Sequence, residues 1–253
     1  MGALVSFSRA YRLLVQRLGK ERQPGMHPPT NVYKRTKSNN VMEELSELIG
    51  FLLSDGSVYY DKSKRTHCIQ YTNKIKDLRE RFKKTFEKCF GRKIFHENKC
   101  KNAISVRTFS TRIAKILFEL LPTYRTKQFL DNTYPKCKVP NFILLNKKFI
   151  SSFLRAYASS DGCFYSNNSH PRGVIEIACV HPILRTQISE CLDIINIGNR
   201  NENRRIVISK KRDVERFFNE VGFLEESVVC NTNSKNFGIG KNELFRRSFL
   251  VQT

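Results

Sequence analysis

The chain has 253 residues, of which 40% are hydrophobic, and this proportion of apolar side chains excludes a wholly disordered protein. Its 45 Lys and Arg against 23 Asp and Glu give a net charge of +22, which indicates a polyanionic partner, nucleic acid before an anionic membrane surface. The sequence contains no run of about 18 apolar residues, so it predicts no membrane-spanning helix.

Residues 1–40 are predicted to form a basic N-terminal arm, with eight Lys and Arg and one Glu. Three interpretations of this arm remain open. It is a nucleic-acid-binding segment, a transit peptide (because it is rich in Arg and nearly free of acidic residues), or a mobile basic tail.

An internal repeat organises the rest of the chain. The segment Leu48–Gly56, LIGFLLSDG, returns as Leu154–Gly162, LRAYASSDG. Each copy opens the same predicted order of elements, αββαββα. The first repeat, residues 41–121, is predicted to contain a helix at 43–54, strands at 56–61 and 67–73, a helix at 74–90, strands near 92–98 and 102–108, and a helix at 110–121.

A proline-containing linker at 122–146 leads to the second repeat at 147–225, and residues 226–253 form a C-terminal extension. The second repeat is predicted to contain a helix at 147–160, strands near 162–167 and 173–180, a helix at 182–196, strands near 198–202 and 205–209, and a helix at 211–221. We therefore expect an α+β fold in which two pseudo-symmetric αββαββα repeats form a saddle of two antiparallel β-sheets, with helices on the outer face.

The repeated segment combines small residues with a terminal carboxylate. Gly50 and Ser54 are four residues apart, as are Ala156 and Ser160, and small residues at this spacing allow two helices to pack closely. Such packing brings Asp55 and Asp161 together at the negative ends of two helix dipoles, a cost that a divalent cation such as Mg²⁺ removes. One Ser-Asp-Gly alone is an ordinary helix-ending turn, but two copies in matching contexts favour a metal site.

The two segments resemble the paired motifs of double-motif, single-chain LAGLIDADG homing endonucleases, and the resemblance covers roughly residues 41–225. It implies that the motif helices form the interface between the halves and that Asp55 and Asp161 bind the catalytic metals, Mg²⁺ or another divalent cation such as Mn²⁺. At the sixth motif position the family name has Asp where this chain has Leu53 and Ser159.

The same resemblance implies that a polar or basic residue at the end of each second strand organises water around the active site. Lys74 and His181 are the candidates here, with Asn73 as a helper. Lys74 could stabilise negative charge in the transition state, or be a solvated residue at a helix start. His181 could act likewise, or simply cap the helix before Pro182.

The open sheet faces are expected to read the major groove of DNA, with Arg and Asn or Gln on base edges and Lys on phosphates. In the first repeat the candidate DNA-binding residues are Tyr59, Lys62, Arg65, Gln70, Thr72, Lys93, Asn98, Lys99, Lys101 and Arg107. In the second repeat they are Tyr165, Asn167, Asn168, Arg172, Glu176, Arg200, Asn203, Arg204 and Arg205.

The expected function is therefore that of a site-specific, metal-dependent DNA endonuclease, intron-encoded or freestanding, that acts as a monomer on a long asymmetric site. The resemblance implies that its product is a double-strand break with short 3′ overhangs. The alternative is a catalytically silent binding protein of the same fold, an RNA maturase or a regulator, and intron RNA would then be a partner. The eight cysteines form no C-x-x-C pair, which predicts reduced thiols and an intracellular protein, in an archaeal cytoplasm or a eukaryotic organelle.

Overall fold

The computed structural model describes residues 31–167 and 170–250, which form two αββαββα repeats followed by a C-terminal segment. The elements of the first repeat are α1 (Asn31–Leu53), β1 (Gly56–Asp61), β2 (Thr66–Asn73), α2 (Lys76–Phe90), β3 (His96–Cys100), β4 (Ala103–Phe109) and α3 (Thr111–Leu120). The linker holds a short helix, α4 (Asn141–Leu144). The remaining elements are α5 (Lys147–Asp161), β5 (Gly162–Asn167), β6 (His170–Ala178), α6 (Pro182–Ile194), β7 (Arg200–Glu202), β8 (Arg205–Ile208), α7 (Lys211–Glu220) and α8 (Lys241–Leu250).

Each repeat builds one four-stranded antiparallel sheet, and the two sheets have the same strand order, β1-β2-β4-β3 and β5-β6-β8-β7. Apolar residues alternate along the central strands: Ile69 and Tyr71 in β2 and Ile175 and Ile177 in β6 are fully buried. The opposite face is polar in the first sheet, with Gln70 and Arg107, whereas in the second sheet the buried Val174 and Val207 share that face with Glu176. The predicted α+β architecture with two antiparallel sheets is thus confirmed.

The two motif helices, α1 and α5, pack against each other at the centre of the core. Gly50 makes this possible, because a Cβ atom there would lie 2.5 Å from the carbonyl oxygen of Phe153 and 2.9 Å from the Cβ of Ala156. A hydrogen bond from Ser152 Oγ to Glu43 Oε1, 3.1 Å long, also crosses the helix pair. Helix α1 is tied to α2 by the buried Glu47, which accepts two hydrogen bonds from Arg81 at 2.7 and 2.8 Å.

The element boundaries differ from the sequence prediction in three places. Helix α1 begins at Asn31, so the segment 31–40, assigned to the arm, continues the motif helix. The polar run in this segment lacks the apolar periodicity that predicts a helix. Strand β3 begins at His96 rather than near 92, and α2 begins at Lys76, which leaves Lys74 in the connection before the helix.

The C-terminal extension packs on the second sheet. Helix α8 lies against β5 and β6. The ring of Phe245 also stacks on that of Phe218 in α7, at 3.5 Å between ring centroids. A single β-bridge between Val228 and Gly240 and a hydrogen bond from Lys241 N to Ser227 O (2.9 Å) fold the segment back toward the end of α5. Within the part of the chain that the structure describes, no helix combines the length and hydrophobicity needed to cross a membrane.

Candidate active site

The carboxylates Asp55 and Asp161 stand at the C-terminal ends of the two packed motif helices. Asp55 lies two residues beyond Leu53, the last residue of α1, and Asp161 is the last residue of α5. Two side-chain contacts fix this region: Ser54 Oγ donates to Gly50 O at 2.9 Å, and Tyr71 Oη and Ser160 Oγ share a hydrogen bond of 2.8 Å. The second contact joins β2 of the first repeat to α5 of the second, so both halves hold the same small site.

The two carboxylates interact electrostatically. Burial and, after it, the neighbouring charge of Asp55 raise the pKa of Asp161 to about 8. Burial also raises the pKa of Asp55, while the hydrogen bond from Asn73 Nδ2 to Asp55 Oδ2 (2.8 Å) partly offsets that rise. Two desolvated, mutually repelling carboxylates form a site that gains stability from a proton or a cation.

Asn73 and Lys74 occupy different environments beside Asp55. Asn73 is buried, and its Oδ1 accepts a hydrogen bond from Ile75 N (2.9 Å), so the amide that donates to Asp55 is held at both ends. Lys74 is exposed and lines a surface cleft with Lys99 and Lys101. Arg79 supports this turn by donating to the backbone oxygens of Asn73 and Lys74, both at 2.9 Å.

Of the two roles expected for His181, the structure shows that of a helix cap. It is fully buried and is the N-cap residue of α6: its Nδ1 accepts a hydrogen bond from Leu184 N (3.1 Å). Its Nε2 therefore carries the proton and donates to Pro135 O at 2.7 Å. Both ring nitrogens are engaged in the fold, which does not fit a role in organising water at the active site.

The strand register explains why His181 does not correspond to Lys74. Gly56 pairs with Tyr71 in the first sheet, and Gly162 pairs with Ile177 in the second. Three residues further along each chain segment, Lys74 corresponds to Val180. His181 instead corresponds to Ile75, and each of these two residues precedes a helix.

Two lysines outside the repeats approach the carboxylates, and sequence analysis missed both. Lys241, at the start of α8, and the exposed Lys127, in the linker, both lower the pKa of Asp55 and of Asp161. Burial lowers the pKa of Lys241 itself to about 8. No motif marks these residues, since only the folded linker and C-terminal segment bring them to the motif helices.

The open face of the first sheet carries a polar row suited to DNA. Gln70 pairs with Arg107 in register, and Thr72 pairs with Ser105, which in turn pairs with Asn98. Tyr59 lies on the same face beside Gln70, with a long contact of 3.5 Å between Tyr59 Oη and Gln70 Oε1. These four predicted residues with Arg107 share one surface.

Other predicted residues of the first repeat lie at its rim. Lys62 and Arg65 are exposed around the β1–β2 turn, and Lys101 is exposed in the β3–β4 turn. Lys99 pairs with Ile104 and so lies on the face opposite Asn98, next to Lys74. Lys93 precedes β3 and is paired with Glu87 at 3.0 Å.

The second sheet is smaller and partly self-neutralised. Glu176 accepts a hydrogen bond from Tyr165 Oη (2.9 Å) and an ion pair from Arg205 (3.0 Å). Arg205 also pairs with Glu202 at 3.0 Å, and so does Arg200 at 3.3 Å. Asn203 and Arg204 are exposed in the β7–β8 turn. The predicted residues Asn167, Asn168 and Arg172 lie outside the side chains that the structure describes.

The family assignment rests on a direct match. A family model described as "LAGLIDADG-like domain" matches residues 148–222, which lie within the second repeat. Residues 148–222 of this chain therefore resemble a LAGLIDADG domain. The resemblance inferred from the two nine-residue segments is thereby confirmed.

Curated relatives of this chain include two archaeal proteins. The replication factor C small subunit of Pyrococcus horikoshii is 28% identical over 191 residues, 74% of this chain and 19% of the relative. The protein of the same name from Pyrococcus furiosus is 25% identical over 205 residues, 78% of this chain and 21% of the relative. The chain thus spans about a fifth of the length of these relatives.

Solved structures share the fold. The homing endonuclease I-DmoI, in complex with DNA and Mn, has a TM-score of 0.54 and 14% identity, covering 72% of this chain and 98% of that one. Full-length DUF199/WhiA from Thermatoga maritima has a TM-score of 0.51 and 17% identity, covering 84% of this chain and 61% of that one. At these identities the likeness concerns the fold alone.

The donor set at the motif helices fits a hard divalent cation. Two carboxylates that are largely desolvated offer hard oxygen atoms, and a cation offsets both their mutual repulsion and their unfavourable position at helix C-termini. Among the described residues no group of three or more His, Cys, Asp and Glu side chains could hold a metal by itself. A cation bound here would therefore keep water or phosphate oxygens as ligands, which suits Mg²⁺ or Mn²⁺.

Proposed function

We propose that this protein is a site-specific DNA endonuclease that uses a divalent cation to make a double-strand break with short 3′ overhangs. The observation that carries the proposal is the pairing of Asp55 and Asp161 at the ends of two helices packed through Gly50. A protein that only binds nucleic acid gains nothing from holding two desolvated carboxylates together, because their repulsion destabilises the fold.

The substrate class follows from charge and shape. The excess of positive charge, +22 over the whole chain, suits a polyanion. The first sheet is antiparallel with a polar face, and a pair of such strands can enter the major groove of DNA. Two sheets of unequal polarity on one chain suit an asymmetric duplex read by a monomer. The structures of I-DmoI with DNA and Mn or Ca support the same class of substrate and cofactor.

The chain's own residues would divide the work. Asp55 and Asp161 would hold a divalent cation, which when bound would supply activation of water and stabilisation of negative charge on the scissile phosphate. Asn73 orients Asp55 through its 2.8 Å hydrogen bond. Lys74, exposed beside Lys99 and Lys101, is placed to bind a phosphate group and to stabilise negative charge in the transition state.

The test is cleavage of a randomised duplex library in Mg²⁺ by the wild type and by the Asp55→Asn/Asp161→Asn double variant, followed by sequencing of the ends. We expect discrete cuts on both strands at one long motif, lost in the double variant while binding to that motif persists. Specific binding by the wild type without any cut ends would overturn the proposal. That outcome would favour the alternative of a catalytically silent binding protein of the same fold.

A further inference from the structure

The second active centre lacks the residues that surround Asp55 in the first. By strand register Asn73 corresponds to Cys179, which is buried, and Lys74 corresponds to Val180. The second repeat therefore provides neither the amide that donates to the carboxylate nor the adjacent cationic side chain. Strand β6 and the residues that follow it therefore give Asp161 no hydrogen-bond donor like Asn73 and no cation like Lys74.

A lysine from outside the repeats lies at this place. Lys241 is only 5% exposed, and its Nζ donates to Ser159 O at 2.8 Å and to Gly162 O at 2.7 Å. These two carbonyls flank Asp161 on both sides, so the lysine spans the turn on which the carboxylate is carried. A cation at a helix C-terminus is also favourable, because it faces the negative end of the helix dipole.

The rest of the C-terminal segment holds Lys241 in this position. Its backbone N–H donates to Ser227 O (2.9 Å), and Ser227 Oγ donates to the same Ser159 O at 2.9 Å. The ammonium lies over the Phe223 ring at 5.2 Å from the centroid. A buried ammonium is costly without such partners, which argues that this arrangement is specific.

We propose that Lys241 is the positioning residue of the second active centre, holding the Ser159–Gly162 turn and placing its positive charge beside Asp161. This inference rests on the proposed endonuclease function. It makes the C-terminal segment, which lies outside both repeats, a required part of the second centre.

The first experiment measures the cleavage rate of each strand of the selected duplex, labelled separately, for Lys241→Met, Lys74→Met and the control Lys235→Met, whose lysine is exposed in the same segment. We expect Lys241→Met to slow one strand by about tenfold or more relative to the other, because a small displacement of Asp161 disturbs the geometry that the reaction needs. Lys74→Met should shift the ratio in the opposite direction, and Lys235→Met should leave it unchanged. Equal slowing of both strands by Lys241→Met would overturn the proposal.

A second readout does not depend on activity. Amide hydrogen exchange of the metal-free protein should become faster in the peptide covering residues 157–165 of Lys241→Met and remain unchanged there in Lys235→Met. Unchanged exchange in Lys241→Met would mean that the lysine does not hold the turn. If the wild type fails to cut any duplex, the endonuclease proposal fails, whereas the exchange result still decides whether Lys241 positions the turn.

Discussion

At the scale of single residues, Asp161 combines burial with a repelling neighbour, and this combination should be visible in stability. Its pKa in the folded state is about 8, raised above the ordinary value of 3.8 first by burial and then by Asp55. A raised folded pKa means that the folded state holds the proton more tightly than the unfolded state does. The free energy of unfolding therefore falls as pH rises from about 4 to about 8.

The prediction is that Asp161→Asn, in a chelator, melts a few degrees higher than the wild type at pH 8 and at nearly the same temperature at pH 4. The variant keeps a neutral, similarly shaped side chain and removes the titration. Thermal unfolding followed by circular dichroism across this pH range measures the difference. A gap between the two proteins that does not change with pH would contradict the raised pKa.

The residue scale also shows the limit of sequence reasoning. Asp55 and Asp161 could be predicted because a repeated motif marks them twice. The residue that corresponds to Lys74 in the second repeat could not be predicted. His181 lies one residue beyond the position that strand register assigns to it, and only the hairpin pairs Gly56–Tyr71 and Gly162–Ile177 reveal this. Lys241 follows Asp161 by 80 residues and carries no local signal at all.

At the scale of elements, the motif helices α1 and α5 are predicted to depend on the absence of one side chain. Replacing a helical glycine by alanine usually stabilises a helix by about 1 kcal/mol. At Gly50 the added Cβ would lie 2.5 Å from Phe153 O, so we expect Gly50→Ala to destabilise the protein by about 1–3 kcal/mol instead.

Gly240→Ala is the matched control for this substitution, since its added Cβ would make only an ordinary contact of 3.7 Å with Glu243. Urea unfolding of both variants gives the two free energies. A Gly50→Ala protein as stable as the wild type would show that the helices do not pack as closely as described. Cleavage should fall together with stability in Gly50→Ala, because the same packing holds the carboxylates together.

The element scale was the most predictable part of the fold. Strands β1, β2, β5 and β6 lie close to their predicted bounds, and α2 ends at Phe90 as predicted, where Gly91 adopts φ 66. The boundary of α1 was not predictable, since residues 31–40 are polar and give no periodic signal. The linker also concealed α4 and the contact between Pro135 and His181, which depend on tertiary packing.

At the scale of the whole molecule, basic residues lie both in the cleft beside Lys74 and on α3. This difference in position predicts how DNA binding depends on salt. Lys99 and Lys101 line the cleft beside Lys74, whereas Arg112 and Lys115 are exposed on α3. Removing two phosphate contacts should reduce the slope of the logarithm of the binding constant against the logarithm of salt concentration by about 2.

We therefore expect Lys99→Met/Lys101→Met to bind DNA more weakly and with the shallower slope, and Arg112→Met/Lys115→Met, with the same change in net charge, to behave as the wild type. Fluorescence anisotropy with a labelled duplex in a chelator, at several salt concentrations, measures both slopes. Equal loss in the two double variants would mean that net charge alone, rather than the cleft beside Lys74, determines binding.

The central claim is that Asp55 and Asp161 form one cation site, and calorimetric titration of Mn²⁺ into the protein–DNA complex tests it most directly. The titration is repeated at pH 7 in buffers of different ionisation enthalpy, so that it reports both cation binding and proton release. The account predicts that the wild type binds Mn²⁺ and releases protons, because Asp161 is largely protonated below its pKa of about 8, and that Asp55→Asn and Asp161→Asn each bind it far more weakly. Binding of Mn²⁺ with the same affinity and the same proton release in both variants would contradict it.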